Sequence, residues 1–125
     1  DNFTERKLHN YQLPDFMIQI IDHIENNLDQ EKFGVEQLCE IMCMSSSTLY
    51  RKMKLITNKS SVEFIREVRI RKALEYLQKD SQLQVSEVSF MIGFEDVNYF
   101  RKCFKKQFGR TPSEILQKSS INKSV

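Results

Sequence analysis

Three glycines and two prolines are all the chain breakers that 125 residues contain. So few turn formers favour long helices over a sandwich of short strands, which needs such residues at every reversal. No apolar run approaches the length that spans a bilayer, and no signal peptide opens the chain, so no membrane contact is expected of it. There is no initiating Met, and Asp1 reads as a cut point in a longer chain or as a processed end. Cys39, Cys43 and Cys103 are odd in number and lack the short spacings of a secreted disulfide framework. Cys39 and Cys43 lie four apart, a spacing open to a metal pair on a helix, but the only histidines are His9 and His23 and no second pair exists. Small buried core side chains are therefore the expected role of the cysteines, with no metal and no cofactor. An enzyme would need a nucleophile–base pair, paired carboxylates in a pocket or metal ligands. His23, beside Asp22 and Glu25 on the polar side of an amphipathic helix, reads as a solvated face instead, and no catalysis is expected.

At this length the chain is one domain, or two very small ones sharing a connecting element. The net charge of +2 hides an asymmetry. Residues 1–40 carry nine acids against three Lys/Arg, while residues 41–125 carry sixteen Lys/Arg against eight acids. The basic charge belongs to the second part, and that part repeats itself.

The repeat is the most informative feature. Val35, Leu38 and Met42 match Val85, Val88 and Ile92 at an offset of fifty. Leu49 and Met53 match Phe100 and Phe104 at fifty-one, and Asn58 and Ser60 match Gly109 and Thr111 at the same offset. Each copy reads as helix, tight turn, basic helix, which is the layout for reading two successive stretches of DNA groove.

The expected fold is all-α, with two helix-turn-helix subdomains joined by a long connecting helix, about seven helices in all. Residues 1–13 read as an arm or linker, 14–60 as the first subdomain, 61–78 as the connecting helix, 79–118 as the second subdomain and 119–125 as a frayed tail. Pro14-Asp15 starts a helix whose stripe is Phe16, Met17, Ile20, Ile21, Ile24 and Leu28. Val35, Leu38, Ile41 and Met42 face inward on the next, and Cys43-Met44 is its turn. Ser45 or Ser46 caps the first basic helix, and Asn58 suits the left-handed position that ends it. Ile65, Val68, Ala73, Leu74 and Leu77 form the inner side of the connecting helix. Gly93 permits the second turn, Asp96 caps the second basic helix, and Thr111-Pro112-Ser113-Glu114 starts a last helix.

The segment Gly93-Phe94-x-Asp96-x-x-Tyr99-Phe100-x-x-x-Phe104-Lys105-x-x-Phe108-Gly109-x-Thr111-Pro112 resembles the AraC family of bacterial transcription activators. Met44-Ser45-x-Ser47-x-Leu49-x-Arg51-Lys52-x-Lys54 and Arg69-Ile70-x-x-Ala73-x-x-x-Leu77 extend the resemblance over about residues 14–116. It implies sequence-specific binding of double-stranded DNA, regulation of transcription, most often activation, RNA polymerase as a partner, and a cytoplasmic location. Phe33 to Lys54, with Leu49-Tyr50-Arg51-Lys52, is similar to the effector domains of hybrid two-component regulators of gut Bacteroidetes. That narrower likeness implies a sensor, a kinase or a dimerisation region elsewhere in a longer chain. Where the family often has Tyr-Arg after Thr-Pro-x-x, this chain has Ile115-Leu116, so that contact is not carried over.

A recognition helix enters the major groove by its N-terminal half, which selects the exposed residues there as base readers. In the first unit these are Ser47, Tyr50 and Arg51; in the second, Val97, Asn98, Arg101 and Lys102. Arg51 suits a bidentate contact to guanine, Asn98 suits adenine and Val97 a thymine methyl, while Asp96 serves as a cap. Backbone contact is expected from Ser46, Lys54, Ser60, Tyr99, Lys105, Lys106 and Thr111. Phe100, Phe104 and Phe108 fall at core spacing, and Arg69 suits a structural role better than DNA contact. The alternative from another class is a helical protein-interaction module without intrinsic DNA specificity, docking through the acidic first forty residues. RNA binding is open to any basic helix, but two groove-reading units argue for duplex DNA. Arg51→Ala is expected to cost about 1–3 kcal/mol and relax preference at one base pair, whereas Lys106→Ala weakens all sequences evenly. Competition binding on specific and random duplexes separates the two; equal loss for Arg51→Ala on both removes it from the base readers.

Overall fold

The computed structural model describes residues 15–117, so the expected arm over 1–13 and tail over 119–125 lie outside the described residues. Among the described residues there are seven helices and no strand. They are α1 over 15–25, α2 Val35–Met42, α3 Ser46–Thr57, α4 Ser61–Lys79, α5 Val85–Met91, α6 Val97–Phe108 and α7 over 112–117. α1 buries Phe16, Ile20 and Ile24 along one stripe, which the turn after it continues with Leu28.

The repeat in the sequence is a repeat in three dimensions, down to the helix ends. α3 and α6 have twelve residues each and start 51 positions apart. Ser45 caps α3 by accepting the Thr48 N–H, and Asp96 caps α6 by accepting those of Asn98 and Tyr99. Both helices close on a left-handed residue, Asn58 at φ 61° and Gly109 at φ 75°. Each of these donates its N–H to a lysine carbonyl of the last turn, Lys54 or Lys105. The next helix is capped in each case by a hydroxyl, Ser60 accepting from Glu63 and Thr111 from Glu114, both at 3.2 Å.

Two cores result, and α4 serves both. Phe64, Ile65 and Val68 pack with α1, α2 and α3. Ile70, Ala73 and Leu77 pack with α5 and α6, where Phe100 and Phe104 are fully buried. At 3.6 residues per turn the two sets lie roughly 180° apart around the axis. The N-terminal half of α4 therefore turns one face to the first core, and its C-terminal half turns the opposite face to the second.

Arg69 stands between them, buried. Its Nη1 donates to the carbonyls of Leu28 and Ile92, both at 2.7 Å, and its Nη2 to those of Phe33 at 2.8 Å and Gln30 at 3.1 Å. All four terminal N–H groups are used on carbonyls from both halves of the molecule. Burial pulls the Arg69 pKa down, and the Glu31 charge opposes that pull. Gly93 sits at φ 85°, and a Cβ there would meet the Arg69 guanidinium and the Leu28 carbonyl. The glycine is thus needed twice, for its dihedral and for its missing side chain.

Two expectations fail. Ile41 is 44% exposed, because the inner face of α2 centres between Val35, Leu38, Cys39 and Met42, and position 41 falls to one side of that arc. Cys43 is exposed, not a core cysteine, since it occupies the left-handed C-cap of α2 at φ 55°; Cys39 and Cys103 are half-buried.

Arg69→Leu is expected to cost at least about 3 kcal/mol, because four buried carbonyls lose their donor. Gly93→Ala should cost about 2 kcal/mol or more through the same contact. Urea denaturation measures both; losses under about 1 kcal/mol would show that Arg69 does not hold the two halves together.

Candidate nucleic-acid interface

α3 and α6 each present an outer face opposite a buried one. Leu49 and Met53 anchor α3, and Phe100 and Phe104 anchor α6, so the residues between them point outward. In α3 the outward set contains Ser46, Ser47, Tyr50, Arg51 and Lys54, all exposed. In α6 it contains Asn98, Arg101, Lys102, Lys105 and Lys106, all exposed. Val97 departs from its expected place: it is half-buried against the second core, with only part of its surface outward.

Local bonds preorganise several of these groups. Asn98 Oδ1 accepts from Arg101 Nη1 at 3.3 Å, joining two of the residues expected to read bases. Tyr99, also exposed, accepts from Arg66 Nη1 at 3.3 Å. Lys54 Nζ donates to the Asn58 carbonyl at 3.3 Å, at the negative end of α3. Ser60 and Thr111 are half-buried, and each hydroxyl oxygen already serves as a cap acceptor, while its proton stays available as a donor. Asp96 spends its carboxylate on two backbone N–H groups, as expected of a cap.

The ion pairs among the described residues are Lys59–Glu67, Arg71–Glu67 and Lys72–Glu75. None takes a cation from α3 or α6. Among the described residues no carboxylate neutralises Arg51, Lys54, Arg101, Lys102, Lys105 or Lys106 of those helices, the condition for contact with phosphates.

Between α4 and α6 runs a polar groove lined by Lys59, Arg66, Lys102 and Lys106, with Glu63 and Glu67 on its α4 side. Gln107 crosses it, donating to the Glu67 carbonyl at 3.1 Å. Neither Lys59 nor Arg66 is among the residues that the sequence selects for DNA contact. Lys102 and Lys106 announce the groove by their helical spacing, but the approach of Lys59 and Arg66 is tertiary and leaves no local signal. No helix among the described residues is long and apolar enough to cross a membrane, and no cluster of His, Cys, Asp or Glu among them could hold a metal.

Comparison with known proteins follows the same geometry. A family model described as a helix-turn-helix domain matches residues 38–118. Histidine kinase P4 of Formosa agariphila is 35% identical over 97 residues, which are 78% of this chain and 7% of that protein. The HTH-type transcriptional activator RhaR of Salmonella schwarzengrund is 33% identical over 96 residues, 77% of this chain and 33% of RhaR. The chain thus spans a third or less of the length of these two relatives. A transcriptional regulator of Chromobacterium violaceum, described among AraC-type DNA-binding domain-containing proteins, shares the fold. It has a TM-score of 0.75 at 18% identity, covering 95% of this chain and 96% of that one.

Removing the α6 cap by Asp96→Ala should lower stability by about 1 kcal/mol, whereas Asp96→Asn, which keeps an acceptor, stays within a few tenths. Thermal unfolding of the two variants checks this. An altered base preference with Asp96→Asn at unchanged stability would move Asp96 from cap to reader.

Proposed function

We propose, from the premise that this chain belongs to the AraC-type helix-turn-helix family, that it is the effector end of a longer regulator and reads an asymmetric duplex site with two helices. It binds double-stranded DNA and regulates transcription, and its family is one of DNA-binding regulators, not enzymes. The observation that carries the finer reading is the pair of matched, capped helices whose outward cations have no carboxylate partners among the described residues.

In this reading α3 and α6 enter successive major grooves, about 34 Å apart along the axis or less if the DNA bends. α4, at nineteen residues, is about 28 Å long and fixes their relation. Residues 14–60 form the first reading unit, 61–78 the link and 79–118 the second. Ser47, Tyr50 and Arg51 read bases in one groove, and Asn98, Arg101 and Lys102, with the edge of Val97, in the other. Ser46, Lys54, Ser60, Tyr99, Lys105, Lys106 and Thr111 hold the backbone. Likeness to an activator and to a histidine kinase supports activation through RNA polymerase in the cytoplasm, under control of a sensor or kinase in the same chain.

Selection of bound sequences from randomised duplex DNA, at two salt concentrations, tests the reading. Two enriched blocks are expected. If Lys54, Lys105 and Lys106 each neutralise a phosphate, affinity should fall about fortyfold between roughly 50 and 200 mM salt. Absence of duplex binding at low salt, from this chain and from a forced dimer of it, would leave a helical protein-interaction module in its place.

A further inference from the structure

Ser61 is the first residue of α4 and is 4% exposed. Its hydroxyl is buried and has no hydrogen-bond partner. A buried donor without an acceptor is costly and rare, and calls for an explanation.

The surroundings supply one. Ser61 lines a cleft between the start of α3 and the start of α4, together with Val35 from α2, Ser46, Ser47 and Tyr50 from α3, the cap residue Ser60 and Val62 from α4. Two helix N-termini converge on it, one of a twelve-residue helix and one of a nineteen-residue helix. Their first N–H groups and partial positive charge favour an anion. Its surface is mainly apolar, its polar side chains are all hydroxyl-bearing, and it includes no carboxylate. Tyr50 and Ser47, on the outer face of α3, form one wall of the cleft, so a DNA strand bordering the groove that α3 enters would pass across its mouth.

We propose that this cleft seats one phosphate of the DNA backbone, with the Ser61 hydroxyl turning about its single Cα–Cβ bond to donate to a phosphate oxygen. The inference rests on the DNA-reading function proposed above. It also separates the two units. At an offset of 51, Ser46, Ser47, Tyr50 and Ser61 correspond to Val97, Asn98, Arg101 and Pro112. The second unit has no hydroxyl at the place of Ser61, since Pro112 is fully buried there, and has a guanidinium at the place of Tyr50. The first unit therefore holds this phosphate with neutral donors, and the second has no hydroxyl to match.

Neutral donors leave a distinct signature. Ser61→Ala and Ser61→Pro both remove the hydroxyl, and Pro is well tolerated at the first position of a helix, as Pro112 illustrates. On a duplex obtained by selection with the unaltered chain, both variants should bind about tenfold more weakly. The loss should be equal on a random duplex, the slope of affinity against salt should not change, and the unfolding temperature should not fall. A scan of neutral methylphosphonates along the duplex should find one position where the unaltered chain loses affinity and Ser61→Ala does not. Unchanged affinity in both variants overturns the proposal, as does a loss confined to one sequence or one that follows a loss of stability. Failure of the unaltered chain to bind any duplex overturns the DNA-reading function itself, and this inference with it.

Discussion

The positive charge of Arg69, buried where the two halves meet, is the constraint on which the rest of the structure depends. Taking a guanidinium out of water costs several kcal/mol unless every donor finds a partner, and here the four terminal N–H groups find carbonyls. Three of these come from the segment between α1 and α2, and one from the end of α5. Such carbonyls at helix ends are themselves short of donors, so one side chain satisfies groups on both sides of the junction. Sliding or rotating one half against the other would strand all of them together. The relation between α3 and α6 is thereby fixed before any DNA is met. In the proposed reading, once the first helix docks, the second pays little further ordering entropy to reach its own groove.

The same residue explains how the two copies diverged. Both turns need a left-handed residue, Cys43 in one and Gly93 in the other. Cys43 carries the local cost of that conformation, but its exposed side chain meets no tertiary obstacle like the guanidinium, and none of the carbonyls held by Arg69 comes from its turn. In the second turn the Ile92 carbonyl is held by Arg69 and the guanidinium occupies the space of a Cβ at residue 93. Only glycine fits. The extra residue that changes the offset from fifty to fifty-one falls between this turn and the Asp96 cap, and it is Glu95. Its carboxyl lies against that of Glu31, and the hydrogen bond between them, with burial and mutual repulsion, raises the Glu31 pKa.

Much of this was legible in the residues. Caps are written locally, so Asp96, Asn58 and Gly109 were placed from neighbouring residues alone, and the α3 cap was narrowed to Ser45 or Ser46, of which Ser45 serves. The inward positions of Leu49, Met53, Phe100 and Phe104 follow from periodicity, which a two-sided helix preserves. α4 is different. Its two inner faces point in opposite directions, so a search for one stripe finds Ile65, Val68, Ala73 and Leu77 but passes over Phe64 and Ile70. Ile41 misled for a related reason, since spacing alone gives α2 two ways to centre its apolar arc. The partners of Arg69 are backbone carbonyls, which carry no residue identity and leave no trace in a sequence. Residues gathered across the α4–α6 groove, such as Lys59 beside Lys106, are equally silent.

Charge placement decides whether a chain with net charge of only +2 can engage a polyanion. Acidic groups spread evenly among the cations would cancel the local field, and steering toward phosphates would be lost within a Debye length. Here the acids are segregated twice. In sequence they crowd the first forty residues, away from both recognition helices. In space two of the three glutamates of α4, Glu67 and Glu75, are held by Lys59, Arg71 and Lys72, which lie outside those helices. Neither α3 nor α6 contains an Asp or Glu of its own. The field that a duplex meets is set by these two basic surfaces and not by the sum over the chain.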